Sequence, residues 1–264
     1  MGFIEVNGAG LRYELSGNAG RTIVLIHEMG GALESWDGVA PALAERRRVL
    51  RYDTRGAGMS TKARSPLSID TMVGDLAGLL DALGITGKVA VVGIAVGGAI
   101  ALAAALRLPH RISAAVVTSP AIGIAAERRP AVLARVDAIE REGMRVAVDD
   151  SMANGYPAEL RRDPDRFSAF RARWLGNDPA SYAAIYRMLA GLELGKEIAA
   201  IACPVLVIAG SLDRVRPPAL VEPVARLIPA ARYQVLESGH YMAVQTPDLL
   251  AGAIAGFLDE VDPV

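Results

Sequence analysis

The tightest constraint on this chain is a β-branched run handed to an Ala-rich run across only five residues. Lys88-Val89-Ala90-Val91-Val92 carries no polar residue after its first position. Both faces of that strand must therefore be buried, as in a central strand of a parallel sheet. The run Ala99-Ile100-Ala101-Leu102 and the alanines beyond it read as a helix that ends before Pro109. Between them lies Gly93-Ile94-Ala95-Val96-Gly97. Glycines at both ends of such a turn let strand and helix approach closely and hold the middle residue at a strained corner. The chain is thereby committed to an α/β architecture.

The remaining elements fit that commitment. Residues 3–16 read as a β-hairpin around Asn7-Gly8, and Thr22-Ile23-Val24-Leu25-Ile26 is a second fully apolar strand. It leads into His27-Glu28-Met29-Gly30-Gly31, a Gly-rich turn opening a helix expected over 32–43, whose free N–H groups suit an anion. Further strands are expected at 48–53, 112–118, 204–209 and 232–237, and helices at 69–83, 218–228 and from 247, where Thr246 is the expected N-cap. From 120 to 198 there is no β-run, only helical stripes such as Val132, Val136, Ile139 and Tyr182, Ile185, Tyr186, Leu189. The expected organisation is a core of residues 1–119 and 199–264, with a helical lid over 120–198.

Composition removes several function classes. A formal charge of −1 over 264 residues gives no electrostatic footprint for nucleic acid or an anionic membrane. Apolar runs stay well short of the ~20 residues of a membrane span, and the first residues lack a charged-then-apolar leader. With the single Cys203, a cytoplasmic location is expected. Neither G-x-G-x-x-G nor G-K-[ST] occurs, and three scattered histidines with one cysteine do not make a zinc site, so no cofactor and no metal are expected. Between Glu127 and Arg173 ten arginines face nine acids, which reads as solvated, self-paired helix faces.

Ligands of open parallel sheets bind at the carboxyl ends of the strands. Four candidates leave strands there in chain order: the Met29 turn, Ala95, Asp213 and His240. Gly93-x-Ala95-x-Gly97 has the frame of the nucleophile elbow G-x-S-x-G, with a methyl group where the attacking hydroxyl belongs. An acid and then a histidine follow it, the order nucleophile, acid, histidine. Asp53 and Arg55 are expected to brace their loop, His27 to fix the shape of its own, and His110 to lie at the opposite end of the sheet.

On His27-Glu28-Met29-Gly30, Asp53-Thr-Arg-Gly-Ala-Gly-Met-Ser60, Gly93-x-Ala-x-Gly97, Gly210-Ser-Leu-Asp213-Arg-Val-Arg-Pro-Pro218 and Gly239-His240, the chain resembles the α/β-hydrolases. The resemblance covers nearly its full length and points to the branch of 3-oxoadipate enol-lactonase-like esterases and lactonases. It implies a mostly parallel eight-stranded sheet flanked by helices. It further implies His240 as general base, Asp213 as its orienting carboxylate, the N–H groups of Met29 and Val96 as oxyanion donors, and a serine at position 95. Two departures stand out: Glu28 where glycine is common, and Ala95 itself.

Three readings follow. The favoured one is a serine hydrolase of a small carboxylic ester or (enol-)lactone in which Ala95 is an engineered replacement of the serine, because every other part of the machinery is kept. The second is a cofactor-independent oxygenase or C–C lyase or hydrolase using the His240–Asp213 base alone, and the third a catalytically silent ligand binder. Glu28, Trp36, Trp174 and Tyr186 are the candidate substrate contacts. The expected partners are the small-molecule ester or lactone and, in a homodimer, a second copy.

Overall fold

A computed structural model of the chain describes residues 1–17 and 20–264. One eight-stranded sheet runs in the order β1-β2-β4-β3-β5-β6-β7-β8. Its strands are β1 (Gly2–Val6), β2 (Ala9–Ser16), β3 (Thr22–Ile26), β4 (Arg48–Tyr52), β5 (Val89–Ile94), β6 (Ile112–Thr118), β7 (Val205–Gly210) and β8 (Ala231–Leu236). The hairpin β1–β2 turns on Asn7 and Gly8, both at positive φ; β1–β2 and β2–β4 are antiparallel, and every other pair is parallel. Strands β3, β5 and β7 are buried at every residue, as uninterrupted apolar runs demand of strands covered on both faces. From β3 the chain goes outward to β4 and then back across to β5. Loops leaving β3 and β5 thus diverge, and such a switch point opens a crevice at the strand tips.

Helices cover both faces. On one side lie α2 (Ile69–Ala82), α3 (Val96–Arg107) and α8 (Pro218–Arg226); on the other lie α1 (Ala40–Ala44), α9 (Met242–Gln245) and α10 (Pro247–Val261). Between β6 and β7 come α4 (Arg129–Glu142), α5 (Arg145–Gly155), α6 (Pro164–Leu175) and α7 (Pro179–Gly191). Their inner sides form a separate aromatic core in which Tyr156, Phe170, Trp174 and Tyr182 meet Tyr241 from the main body. Among the described residues, no helix is long and apolar enough to cross a membrane.

Two local expectations fail for visible reasons. The single helix over 32–43 is a 3₁₀ turn at Leu33–Trp36 followed by the short α1. Gly38 breaks it by packing on α10, where a Cβ would stand 2.7 Å from that of Pro247, and Pro41 restarts it at the first turn. Thr246 does precede α10, but its hydroxyl donates to Ser238 Oγ (2.7 Å) and makes no cap.

Candidate active site

The corner between β5 and α3 is built by exclusion. A Cβ on Gly93 would collide with the Gly97 carbonyl, and one on Gly97 would collide with the carbonyls of Ile26 and His27 at the end of β3. Both positions therefore accept only hydrogen. Residue 95 between them is forced to φ +51°, ψ −107°, a conformation sparsely populated by residues with a side chain. The corner is pinned through its backbone. The Ala95 N–H donates to the Thr118 carbonyl (2.9 Å), and the Ala95 carbonyl accepts from Ala99 (3.1 Å) and Ala121 (3.0 Å).

At the tips of β7 and β8 the structure brings Asp213 and His240 together. His240 Nδ1 lies 2.8 Å from Asp213 Oδ2, both residues being buried. The same Oδ2 accepts from Ser119 Oγ (2.8 Å), while Oδ1 accepts the N–H groups of Val215 (2.8 Å) and Arg216 (2.9 Å). Four donors use the acceptor capacity of the carboxylate and leave no lone pair for a metal ion. Burial works to raise this carboxyl, but the imidazole and the other donors outweigh it and hold Asp213 below the usual carboxylate range. A charged Asp213 commits the imidazole proton to Nδ1, so neutral His240 keeps Nε2 free as a base. The His240 N–H is tied to the Gly155 carbonyl on α5 (3.0 Å), linking the histidine to the helical insert.

The loop after β3 is shaped from beneath. The Thr54 N–H donates to His27 Nε2 (3.1 Å), which places the His27 proton on Nδ1, and that proton goes to the Glu28 carbonyl (2.7 Å). Glu28, which stands where glycine is common, is accommodated within the loop. Its carboxylate folds under the turn into space that a Cβ on Gly31 would occupy, and Oε1 accepts from Ser35 Oγ (2.7 Å). Its Oε2 is buried without a partner. Met29, half-buried, touches both the main core and the aromatic core. Among the described residues, neither the Met29 N–H nor the Val96 N–H has a protein acceptor.

Other candidate contacts divide. Trp36 is fully enclosed between the sheet and α9–α10, in the core rather than against a cavity. Trp174 packs its ring on Gly30, edge-on to Tyr182 (5.4 Å), and Tyr186 is half-buried behind Tyr182 (6.1 Å). The Asn177 amide donates to the Gly30 carbonyl (2.9 Å), so the insert grips the loop after β3. Asp53 accepts the N–H groups of Leu33 and Met59 (both 2.7 Å), Arg55 pairs with Asp75, and His110 is exposed at the far end of the sheet.

Two participants escape the motifs. Ser119, φ +45° at the tip of β6, grips Asp213, and its only signal is a hydroxyl followed by proline at a strand end. Tyr241 lies beside the imidazole (5.2 Å between rings). Burial and the nearby Tyr182, Glu28 and Asp213 push its phenol well above its ordinary range. Its signal was adjacency to His240.

A family model described as the alpha/beta hydrolase fold matches residues 21–247. A protein of Azorhizobium caulinodans whose name, RutD, assigns it to the carbamate hydrolases is 30% identical, over 99% of this chain and 100% of its own. The 3-oxoadipate enol-lactonase 1 of Acinetobacter baylyi is 27% identical, over 90% of this chain and 89% of its own. Among solved structures, the enol-lactonase of Burkholderia xenovorans superposes with a TM-score of 0.92 at 30% identity, covering 97% and 99% of the two chains.

Proposed function

The chain belongs to the α/β-hydrolase fold family, and on that footing we propose that it is an ester or lactone hydrolase frame complete except for its nucleophile. One observation carries this reading. The 93–97 corner still forces residue 95 into a strained conformation, while Asp213 and His240 remain hydrogen-bonded at the tips of β7 and β8. Names borne by its relatives favour a small ester, lactone or carbamate carbonyl as the reacting group.

With serine at position 95, His240 Nε2 takes the hydroxyl proton as Oγ bonds to the carbonyl carbon. The imidazolium is held by Asp213, and the N–H groups of Met29 and Val96 receive the oxyanion. Return of that proton to the leaving alcohol breaks the C–O bond and leaves an acyl-enzyme, which a water activated by His240 then cleaves. Residues 120–198 act as the lid, held to the oxyanion loop by Asn177 and Trp174. Ala95 reads as a replaced serine because the glycine-flanked corner and the Asp213–His240 pair are both kept.

Ala95→Ser is expected to raise hydrolysis of p-nitrophenyl acetate by about 10⁴-fold or more, since removing a serine nucleophile costs about 10⁶ in a protease. An unchanged rate rejects the reading. The His240–Asp213 pair without a nucleophile also suits a reaction needing only proton abstraction. Oxygen uptake or C–C cleavage by the unaltered chain, abolished by His240→Ala, would put that chemistry in place of ester hydrolysis.

A further inference from the structure

The helical insert is fastened to the main body at the two loops that carry the acid and the base. The Arg214 N–H, one residue past Asp213, donates to the Asn154 carbonyl (3.3 Å), and the His240 N–H donates to the Gly155 carbonyl (3.0 Å). Asn154 and Gly155 are the last two residues of α5. The final carbonyls of a helix lack intrahelical partners and must be met from outside. That of Met152, nearly a turn earlier, is met within the insert by the Tyr156 N–H (3.0 Å) and Arg161 (3.1 Å). Those of Asn154 and Gly155 are met by the strand-tip loops instead. The roots of these loops are joined directly, Ser211 N–H to the Leu236 carbonyl and Leu212 N–H to the Ser238 carbonyl (both 2.9 Å). Beyond the roots, consecutive carbonyls of α5 carry the next backbone tie on each side.

A buried side chain closes this fastening into a ring. Gln245, the last residue of α9, accepts the Tyr241 N–H on Oε1 (3.0 Å) and donates from Nε2 to the Gly155 carbonyl (2.9 Å). The Gly155 oxygen thus takes two donors, His240 N–H and the Gln245 amide, which fills both of its lone pairs. A primary amide is suited to the position because it accepts at one end and donates at the other. Two glycines leave room for the ring. A Cβ on Gly155 would stand 2.5 Å from the Tyr241 ring, and one on Gly239 would stand 2.7 Å from the Gln245 amide. Tyr241, whose ring lies on Gly155, packs edge-on against the imidazole. His240 is therefore held through its own N–H, through the next one, and through its neighbour's ring.

We propose that Gln245 and the C-terminal end of α5 are positioning elements for the His240–Asp213 pair, so that the insert is part of the frame that holds the base as well as a cover. This deepens the hydrolase reading and rests on it only for what the pair does. The side chains of Asp213 and His240 come from different loops, and their 2.8 Å contact needs both loops held in register. Asn154 and Gly155 are adjacent along one helix, so they fix the two loops against a single rigid body. If the ring through Gln245 opens, the imidazole is free to turn away from Asp213, and the proton is no longer confined to Nδ1.

The unaltered chain allows this to be read without turnover, from the ring-nitrogen chemical shifts of its histidines at neutral pH, with His240 assigned by its loss in His240→Ala. The parent His240 should carry its proton on Nδ1. Gln245→Met keeps the volume of the side chain and removes both hydrogen bonds, and about a tenth or more of His240 should move to the Nε2–H tautomer. Gly155→Ala, which has to displace the Tyr241 ring from the insert's side, should act in the same direction and tests the proposal even if Gln245→Met impairs folding. Leu76→Val, which thins the core beneath α2 on the opposite side of the sheet from α9, should leave the tautomer unmoved. In the Ala95→Ser background, Gln245→Met should lower kcat by about tenfold with KM nearly unchanged. A parent His240 not protonated on Nδ1, a tautomer indifferent to both Gln245→Met and Gly155→Ala, or an equal shift in Leu76→Val overturns the proposal. A tautomer that depends on Gln245 together with an inert Ala95→Ser would keep the positioning role and reject the hydrolase reading. An active Ala95→Ser whose kcat and His240 tautomer both ignore Gln245→Met would do the reverse.

Discussion

Two of the buried carboxylates at strand tips in this molecule, Asp213 and Glu28, are treated in opposite ways. Asp213, after β7, is met by four donors; Glu28, after β3, has one hydroxyl on Oε1 and nothing on Oε2. A carboxylate surrounded by donors holds its negative charge through a reaction cycle, and can therefore stabilise an imidazolium formed beside it. A carboxylate with one oxygen unmatched in an apolar site is poorly equipped for that task. Its position between Gly31 and Ser35 makes it a filler that sets the curve of the loop carrying Met29. Burial alone thus does not tell these two carboxylates apart; their donors do.

The sharpest way to break this contrast is to remove both charges without changing shape, in the Ala95→Ser background. Asp213→Asn should lower kcat by about 10⁴-fold, because an amide facing Nδ1 favours the wrong imidazole tautomer. Glu28→Gln keeps an oxygen for Ser35 and should stay within about tenfold of its parent. Comparable losses from the two substitutions would mean that Glu28 takes part in the chemistry.

A smaller effect reports on Asp213 in folding. Asp213 lies below its unfolded value of 3.8. Its contribution to stability is therefore complete above that value and is lost as pH falls through the lower folded one. Urea unfolding followed from about pH 6 to about pH 2 should show a drop below about pH 4 in the parent that is shallower in Asp213→Asn. Identical acid limbs would mean that the four donors do not hold the charge.

Much of this arrangement was legible because the informative signals are local. Continuous apolar runs mark β3, β5 and β7 as central, and a glycine pair four residues apart marks the β5–α3 corner. The order of Ala95, Asp213 and His240 along the chain could be matched to strand tips before any distance was known. What stayed hidden depends on contacts between distant segments. Ser119 became visible as a partner of Asp213 only when β6 and β7 were side by side. The break at Gly38 depends on α10, some two hundred residues later. Counting arginines against acids over 127–173 gave near-neutrality, and the pairs that Arg129, Arg135, Arg166 and Arg171 make with acids fit it. Glu28 was legible only as a departure from glycine and a candidate substrate contact, because its carboxylate's destination, the vacant side of Gly31, is a feature of the folded turn.

The smallest expected effect tests the corner itself. At φ +51° and ψ −107° Ala95 carries a conformational penalty of about 1–3 kcal/mol, which its methyl group does nothing to repay. Glycine adopts such angles without that penalty but loses about 0.5–1 kcal/mol through the greater freedom of its unfolded chain. Ala95→Gly should therefore raise stability by about 1 kcal/mol, read as a higher urea midpoint at unchanged slope. Gly93→Ala has to move the Gly97 carbonyl and should destabilise instead. If Ala95→Gly lowered the midpoint, the corner would hold no strain, and retention of an alanine there would need no vanished hydroxyl to explain it. A gain would show that the fold still bears the cost of presenting a side chain at this corner.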